Sequence, residues 1–253
     1  MTRLTADRQA RSGIAALVHR YGLSAPAADQ LSRLLELLAV DPRAPTALRD
    51  RRKALERHLA DSLVALECVA VRKAQAITDL GAGPGMPGLA LAIALPRSEV
   101  VLVESNAQKC GFIERAIIGC GITNARCVHL RAESWQSGLG RSDLVTARAL
   151  ASLAVVAEYA APLLSPGGTL VAWRGRRDPE VERAGVCAAA VLGLEVSTPM
   201  PVTPYRGSER RHLHLMRKVR ETPDGFPRRP GMAQKRPLGR GGRGVSTSER
   251  VRR

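Results

Sequence analysis

The sequence predicts an α/β fold, a doubly wound and mostly parallel sheet of seven strands preceded by a helical extension. Three observations carry this expectation. Between residues 75 and 219, short β-rich runs alternate with helical ones, the pattern of a parallel sheet with helices on its faces. Within that region the run 76–80 leads into four glycines, Gly81, Gly83, Gly85 and Gly88, ahead of the apolar stretch 89–95, which reads as a strand, a tight turn and a helix. Finally, 253 residues at 45% hydrophobic content suffice for one α/β core with extensions but not for two equal domains.

Taken in order, residues 1–71 are expected to form a helical extension. Leu31, Leu34, Leu35 and Leu38 fall at i, i+3, i+4 and i+7 between an entry signal at Ser24 and Pro26 and a stop at Asp41-Pro42, so they line one helix face. A further helix is predicted from Thr46 to about Val69, with Leu48, Leu55, Leu59, Leu63 and Leu66 on one face. Its first half carries Arg49, Arg51, Arg52, Lys53 and Arg57, either an ordinary solvated face or an edge that meets RNA. Residues 72–220 are expected to form a Rossmann-like core with strands at 76–80, 100–103, 125–130, 143–147, 169–173, about 194–198 and 211–217. In the last of these, His212 and His214 alternate with Leu213 and Leu215, so one strand face is polar, with solvated or hydrogen-bonded histidines. The segment 221–253, punctuated by Pro223, Pro227, Pro230 and Pro237, holds nine basic and three acidic side chains. It is expected to be disordered when free and to order on phosphates.

Charge bounds the function. Lys and Arg number 39 against 23 Asp and Glu, a net +16 at a sequence pI near 11.0, and a polyanionic partner is the default reading of such an excess. Aromatic residues are only 3%, so base stacking on exposed rings is not the main mode of recognition. No apolar run approaches the roughly 18 residues of a membrane span, and the first twenty residues lack the apolar core of a signal peptide; a cytoplasmic protein is expected. Cys68, Cys110, Cys120, Cys127 and Cys187 form no CxxC pair and keep no metal-ligand spacing to a His, so most are read as small buried hydrophobes with reduced thiols, and no metal is expected.

The turn itself points to a nucleoside cofactor. Glycines there admit positive φ and close approach of a ligand, and the helix start behind them offers N–H groups and the positive end of a dipole. Gly83, Gly85 and Gly88 spell GxGxxG, the dinucleotide pattern. Read from Asp79 instead, the turn is Asp79-x-Gly81-x-Gly83-x-Gly85, the usual arrangement of class I methyltransferases that use S-adenosyl-L-methionine (SAM), where the acid meets the methionine part. Glu104, at the end of the second strand, is placed to take the ribose hydroxyls under either reading. The segment 163–171, a helix end, a Pro-Gly-Gly turn and a new strand, favours SAM over NAD.

Several segments together resemble one family, the bacterial 16S rRNA guanine-N7 methyltransferases, also called glucose-inhibited division protein B. They are Arg57-His58-Leu59-Ala60-Asp61-Ser62-Leu63, the turn 79–88 with its Pro87-Gly88 ending, and Glu104-Ser105 followed by Lys109. Further along come Arg131-Ala132-Glu133, Arg148-Ala149-Leu150-Ala151-Ser152-Leu153, the stretch 207–212, Pro227-Arg228-Arg229-Pro230-Gly231 and Lys235-Arg236-Pro237-Leu238. The resemblance extends to about Leu238 and departs from the family at Arg174-Gly175, where Lys-Gly is common; Arg keeps the charge but changes the donor geometry.

The resemblance implies methyl transfer from SAM to N7 of one guanine, position 527 by family convention, in the decoding region of 16S rRNA, presented as naked RNA or as the 30S subunit to a monomeric enzyme. It implies that Asp79, Gly81, Gly83, Gly85, Met86, Glu104, Ala132, Glu133 and Arg148 bind the cofactor, with Ala132 and Glu133 at the adenine end. Arg148, at the end of strand four, is the first candidate for a catalytic contact. His58, Asp61, Ser62, Arg174 and Arg211 are candidates for substrate contact. Two other readings stay open: an RNA-binding or ribosome-assembly protein that keeps the fold without turnover, and an NAD-dependent oxidoreductase.

Overall fold

The computed structural model describes residues 3–239. The chain starts with α1 (Arg3–Tyr21) and α2 (Ala25–Val40). Leu31, Leu34, Leu35 and Leu38 of α2 are buried, as their spacing requires, and Pro26 stands in the first turn, where it disturbs no hydrogen bond. The helix predicted from Thr46 begins later and is broken. It consists of α3 (Arg51–Ala54), a π-helical stretch Leu55–Ala60, α4 (Asp61–Leu63), a 3₁₀ turn Val64–Glu67 and α5 (Val69–Lys73). Asp50 caps α3 by accepting from the Lys53 N–H at 2.8 Å, which fixes the start.

The sheet follows: β1 (Ala76–Leu80), α6 (Gly88–Ala94), β2 (Glu99–Glu104), α7 (Ala107–Cys120), β3 (Ala125–His129), β4 (Ser142–Arg148), α8 (Leu153–Ala160), β5 (Leu164–Arg174), α9 (Pro179–Leu192), β6 (Leu194–Val196), β7 (Met200–Val202), β8 (Arg211–Lys218) and α10 (Met232–Lys235). The strand order is β3-β2-β1-β4-β5-β8-β6. The first five strands are mutually parallel, and β8 runs antiparallel to β5. Eight strands replace the seven expected. The eighth, β7, pairs with the start of β8 while β6 pairs with its end, so the edge opposite β8 is one strand interrupted at 197–199. A three-residue run containing Pro201 carries no periodic signal by which to read it.

Two cores lie on the two faces. One joins α1, α2 and the irregular helix to α6 and α7, with Leu31, Leu59, Leu89 and Phe112 in a single cluster with Ile77 of β1. The other joins α8, α9 and α10, with Trp135, Leu153, Ala188 and Met216. The helical extension is thus one cover of the sheet, and shares its core. His214 is 3% exposed, covered rather than solvated. Its side chain faces Glu182 of α9 at 3.9 Å, and burial holds its pKa below the usual histidine range.

Residues 221–239 depart most from expectation. Instead of a free tail they form a strap on the second core: Phe226 and Leu238 pack against it and Ala233 is 1% exposed. Segment 240–253, the Gly/Arg-rich end, lies outside the described residues. Of the cysteines, Cys68, Cys110 and Cys120 are buried, Cys127 is half-buried and Cys187 is exposed.

Candidate active site

Between β1 and β4 the chain changes direction: α6, after β1, packs in the first core and α8, after β4, in the second. A crevice opens outside the carboxyl ends of strands at such a switch point, and the predicted site residues gather there.

The glycine turn forms the floor. Gly83 has φ 56°, a left-handed conformation, and its N–H donates to Glu104 Oε2 at 2.9 Å while the Asn106 N–H donates to Oε1 at 2.9 Å. Glu104 therefore ties the turn to the end of β2. At Gly88 there is no room for a side chain, because a β-carbon would lie 2.8 Å from both Asp79 Oδ2 and Leu102 Cδ2. Asp79 is fully buried. Its Oδ2 accepts from the Gly88 N–H at 2.8 Å and its Oδ1 from the Thr146 hydroxyl at 2.9 Å. Burial pushes its pKa up to about 6, against the opposing pull of those two donors and of Arg148. With no exposed surface at all, Asp79 reaches the methionine part only if the turn shifts; in this arrangement it braces the turn. Met86 is 2% exposed and its sulfur receives the Ser62 hydroxyl at 3.7 Å, so a ligand at the turn meets Met86 through main chain only.

Gly81, Ala132, Glu133, Leu150, Tyr159 and Gln234 line one cleft beside the turn. Glu133 is 8% exposed. Its Oε1 accepts from the Gly231 N–H at 2.9 Å, and its carboxylate, with burial as the larger cause, pushes the Tyr159 phenol up to about 12. Ala149, next to Arg148, has φ 54°, a left-handed conformation that costs a residue with a β-carbon about 1–2 kcal/mol, and Leu150 follows it onto the turn. A β-carbon on Gly81 would lie 2.5 Å from Leu150 Cδ1. The bare main chain at Gly81, the carboxylate of Glu104 and the Ala132-Glu133 wall fit a nucleoside with a charged tail.

On the other side a cationic cluster is built on Asp61, which is 2% exposed. Arg148 Nη1 donates to Asp61 Oδ2 at 2.9 Å, to the Ser62 hydroxyl at 3.3 Å and to the Arg57 carbonyl at 3.1 Å. Arg148 Nε and Nη2 have no partner among the described residues. Burial lowers the Arg148 pKa, with Asp61 opposing. Arg211 Nε approaches Asp61 Oδ1 at 3.1 Å without hydrogen-bond alignment, and its Nη2 donates to the Tyr205 hydroxyl at 3.0 Å. The indole of Trp173 donates to the Asp61 carbonyl at 2.7 Å.

His58 is buried in the π-helical stretch. Its Nε2 lies 2.9 Å from the Thr46 hydroxyl, and burial, then Arg148, pushes its pKa down to about 4. It is a neutral packed ring, where a substrate contact was expected. Ser62 is fully buried as well. Arg174 Nη1 donates to the Ala151 carbonyl at 2.8 Å, holding the loop after β4. The proposed RNA edge on the irregular helix is partly engaged within the chain: Arg49 donates to the Asp41 and Ala44 carbonyls and Arg52 pairs with Glu56.

The structure therefore brings Asp61, Ser62, Arg148 and Arg211 together and sets Arg174 at the rim. Thr146, Trp173, Tyr159 and Gln234 were not read from the sequence. Thr146 follows from strand register, since it pairs with Asp79 across β1 and β4; the other three carry no local signal. Among the described residues no helix is long and apolar enough to cross a membrane, and no group of His, Cys, Asp and Glu is arranged to hold a metal ion.

Comparison with known proteins agrees with this architecture. The family described as rRNA small subunit methyltransferase G, GidB, matches residues 29–201. A ribosomal RNA small subunit methyltransferase G of Rubrobacter xylanophilus is 39% identical, covering 93% of this chain and 94% of that protein. One of Chloroflexus aggregans is 38% identical, covering 93% and 98%. Among solved structures, a SAM-dependent methyltransferase from Aquifex aeolicus is similar with TM-score 0.53 at 14% identity, over 66% of this chain and 93% of that one. Fibrillarin of Aeropyrum pernix, solved with natively bound SAM, gives TM-score 0.50 at 17% identity, over 62% and 72%. These two likenesses concern the fold; the family match and the long, well-covered relatives show that this chain belongs to the rRNA small subunit methyltransferase G family.

Proposed function

We propose that this chain, as a SAM-dependent methyltransferase of the family, methylates N7 of a single guanine, position 527 by family convention, in the decoding region of 16S rRNA. The observation that carries the reading is the pairing of a glycine-turn cleft with a cationic cluster that offers donors and whose basic groups, His58 and Asp61, are buried. N7 of guanine has a lone pair and no proton, so its methylation needs alignment rather than proton removal. The titratable groups nearest the crevice match that need. Asp79 has both oxygens engaged, His58 is buried and neutral, and Asp61 faces two guanidinium groups.

The roles of individual residues follow from position. When bound, SAM supplies an electrophilic methyl. Gly81 and Gly83 give it main chain to lie on, Glu104 stands at the ribose, and Ala132 and Glu133 form the adenine wall. Arg148, anchored through Nη1 alone, keeps Nε and Nη2 to orient the guanine or the cofactor carboxylate. Correct alignment of reacting atoms accounts for roughly 7–11 kcal/mol of barrier in well-oriented systems. Because the N7 edge lies in the deep groove of A-form RNA, the guanine has to be looped out or presented by a folded subunit. Arg211 and Arg174 then face phosphates, the basic end of the chain adds charge for the same polyanion, and the reaction takes place in the cytoplasm.

The test is transfer of labelled methyl from SAM to unmodified 30S subunits and to naked 16S rRNA, with mapping of N7-methylguanine. Label at one decoding-region guanine is expected. SAM binding without transfer to either substrate would overturn the assignment and favour a role in ribosome assembly.

A further inference from the structure

The strap 221–239 is held by two clasps, each closing on a buried acid of the second core's side. Glu158 of α8 is 1% exposed. Arg228 of the strap pairs with it through two nitrogens, Nε to Oε1 at 2.7 Å and Nη2 to Oε2, and Arg228 Nη2 also donates to the Arg236 carbonyl at 2.9 Å. A carboxylate this deep is costly unless paired, so α8 is built to receive the strap. The second clasp is Glu133, which accepts the Gly231 N–H at the start of α10. Together they set α10 beside the cleft lined by Gly81, Ala132 and Leu150, and Gln234 of α10 joins that lining. Glu133 and Tyr159, the neighbouring polar groups, are already engaged with each other or with the strap. The Gln234 amide has no partner among the described residues.

We propose that the strap completes the adenine end of the cofactor cleft and that the Gln234 amide reads the adenine. A primary amide presents a donor beside an acceptor, and adenine presents its amino group beside a ring nitrogen, so the two match in a paired hydrogen bond. On the edge formed by N6 and N7, hypoxanthine presents two acceptors, O6 and N7, so the amide keeps only one of the two bonds. Glu133 then acts on the adenine end largely by positioning the strap. The inference rests on the cleft being the SAM site.

The experiment is calorimetric titration of the full chain with S-adenosylhomocysteine and with its inosine counterpart. The unaltered protein is expected to prefer the adenosyl compound. Gln234→Ala, at an exposed position that leaves the core intact, weakens that compound about five- to tenfold and narrows the preference. Arg228→Ala, folded by circular dichroism, releases the strap that carries Gln234, so it weakens the adenosyl compound and narrows the preference as Gln234→Ala does. If Gln234→Ala binds both compounds as the unaltered protein does, Gln234 does not read the adenine. If folded Arg228→Ala also binds unchanged, the strap is no part of the site. Failure of the unaltered protein to bind either compound would instead sink the cofactor reading on which the proposal stands.

Discussion

On the glycine-turn side of the crevice, Asp79, Glu104 and Glu133 accept hydrogen bonds from main-chain N–H groups, those of Gly88, of Gly83 and Asn106, and of Gly231. On the other side, Asp61 faces the guanidinium groups of Arg148 and Arg211. The first arrangement fixes the path of the backbone, so the carboxylates there shape the cleft. The second fixes side chains: Arg148 is held through Nη1, while its Nε and Nη2 have no partner among the described residues. A floor of tied backbone beside a guanidinium with donors to spare is what the proposed binding of a small cofactor and a large polyanion rests on.

The largest test of that contrast is Asp61→Ala. It leaves two buried or half-buried guanidinium groups facing each other without their anion, and should cost about 3–5 kcal/mol of stability, read by chemical denaturation. Arg148→Ala leaves Asp61 with Arg211. It should lose on the order of 10²-fold in methyl transfer while losing much less stability than Asp61→Ala. An equal fall in stability for the two variants would make Arg148 a structural ion pair.

A smaller effect separates the two sides by pH. The Asp79 carboxyl, raised to about 6 in the fold from 3.8, contributes stability that is fully present below the unfolded value and is lost as pH rises through about 6. His58, lowered to about 4 from 6.5, contributes stability that is present above the unfolded value and is lost as pH falls through about 4. The slopes oppose each other over the same window. Thermal melts between pH 4 and 6.5 should show Asp79→Asn gaining stability more steeply with rising pH than the unaltered protein, and His58→Gln tilting the other way. Parallel curves for all three proteins would remove both groups from the account.

The smallest expected effect concerns the cationic side alone. Arg57 is exposed, its carbonyl holds Arg148, and Arg57→Ala should lower the salt slope of RNA binding by about one with unchanged melting. Removal of 240–253, which spares the strap, should lower the slope further through its five arginines against Glu249. An unaffected slope in both would move the phosphate contacts elsewhere on the surface.

The turn 79–88 was legible because its requirements are local. A β-carbon at Gly88 meets Asp79 at the start of the turn, and left-handed backbone at Gly83 calls for glycine, so these two constraints are written within ten residues. The cationic cluster was legible only as separate pieces, Asp61-Ser62, Arg148 and Arg211. Each is an ordinary polar residue in its own window, and resemblance rather than spacing marked them. The strap was misread for the same reason. Its prolines and charges resemble those of a free tail, and nothing near Arg228 in the chain announces a buried Glu158 seventy residues away.

The sequence by itself determined the layered α/β plan, the position of five parallel strands, the glycine turn and the chain's net positive charge, because hydrophobic period, glycine placement and net charge act locally or in sum. Only the tertiary structure decided that Asp79 and His58 are interior groups, that Asp61 joins two arginines, and that residues 221–239 pack on the second core beside the glycine turn. Those outcomes depend on which distant side chains exclude water from one another. Burial of a charge is settled by the partner that arrives to meet it.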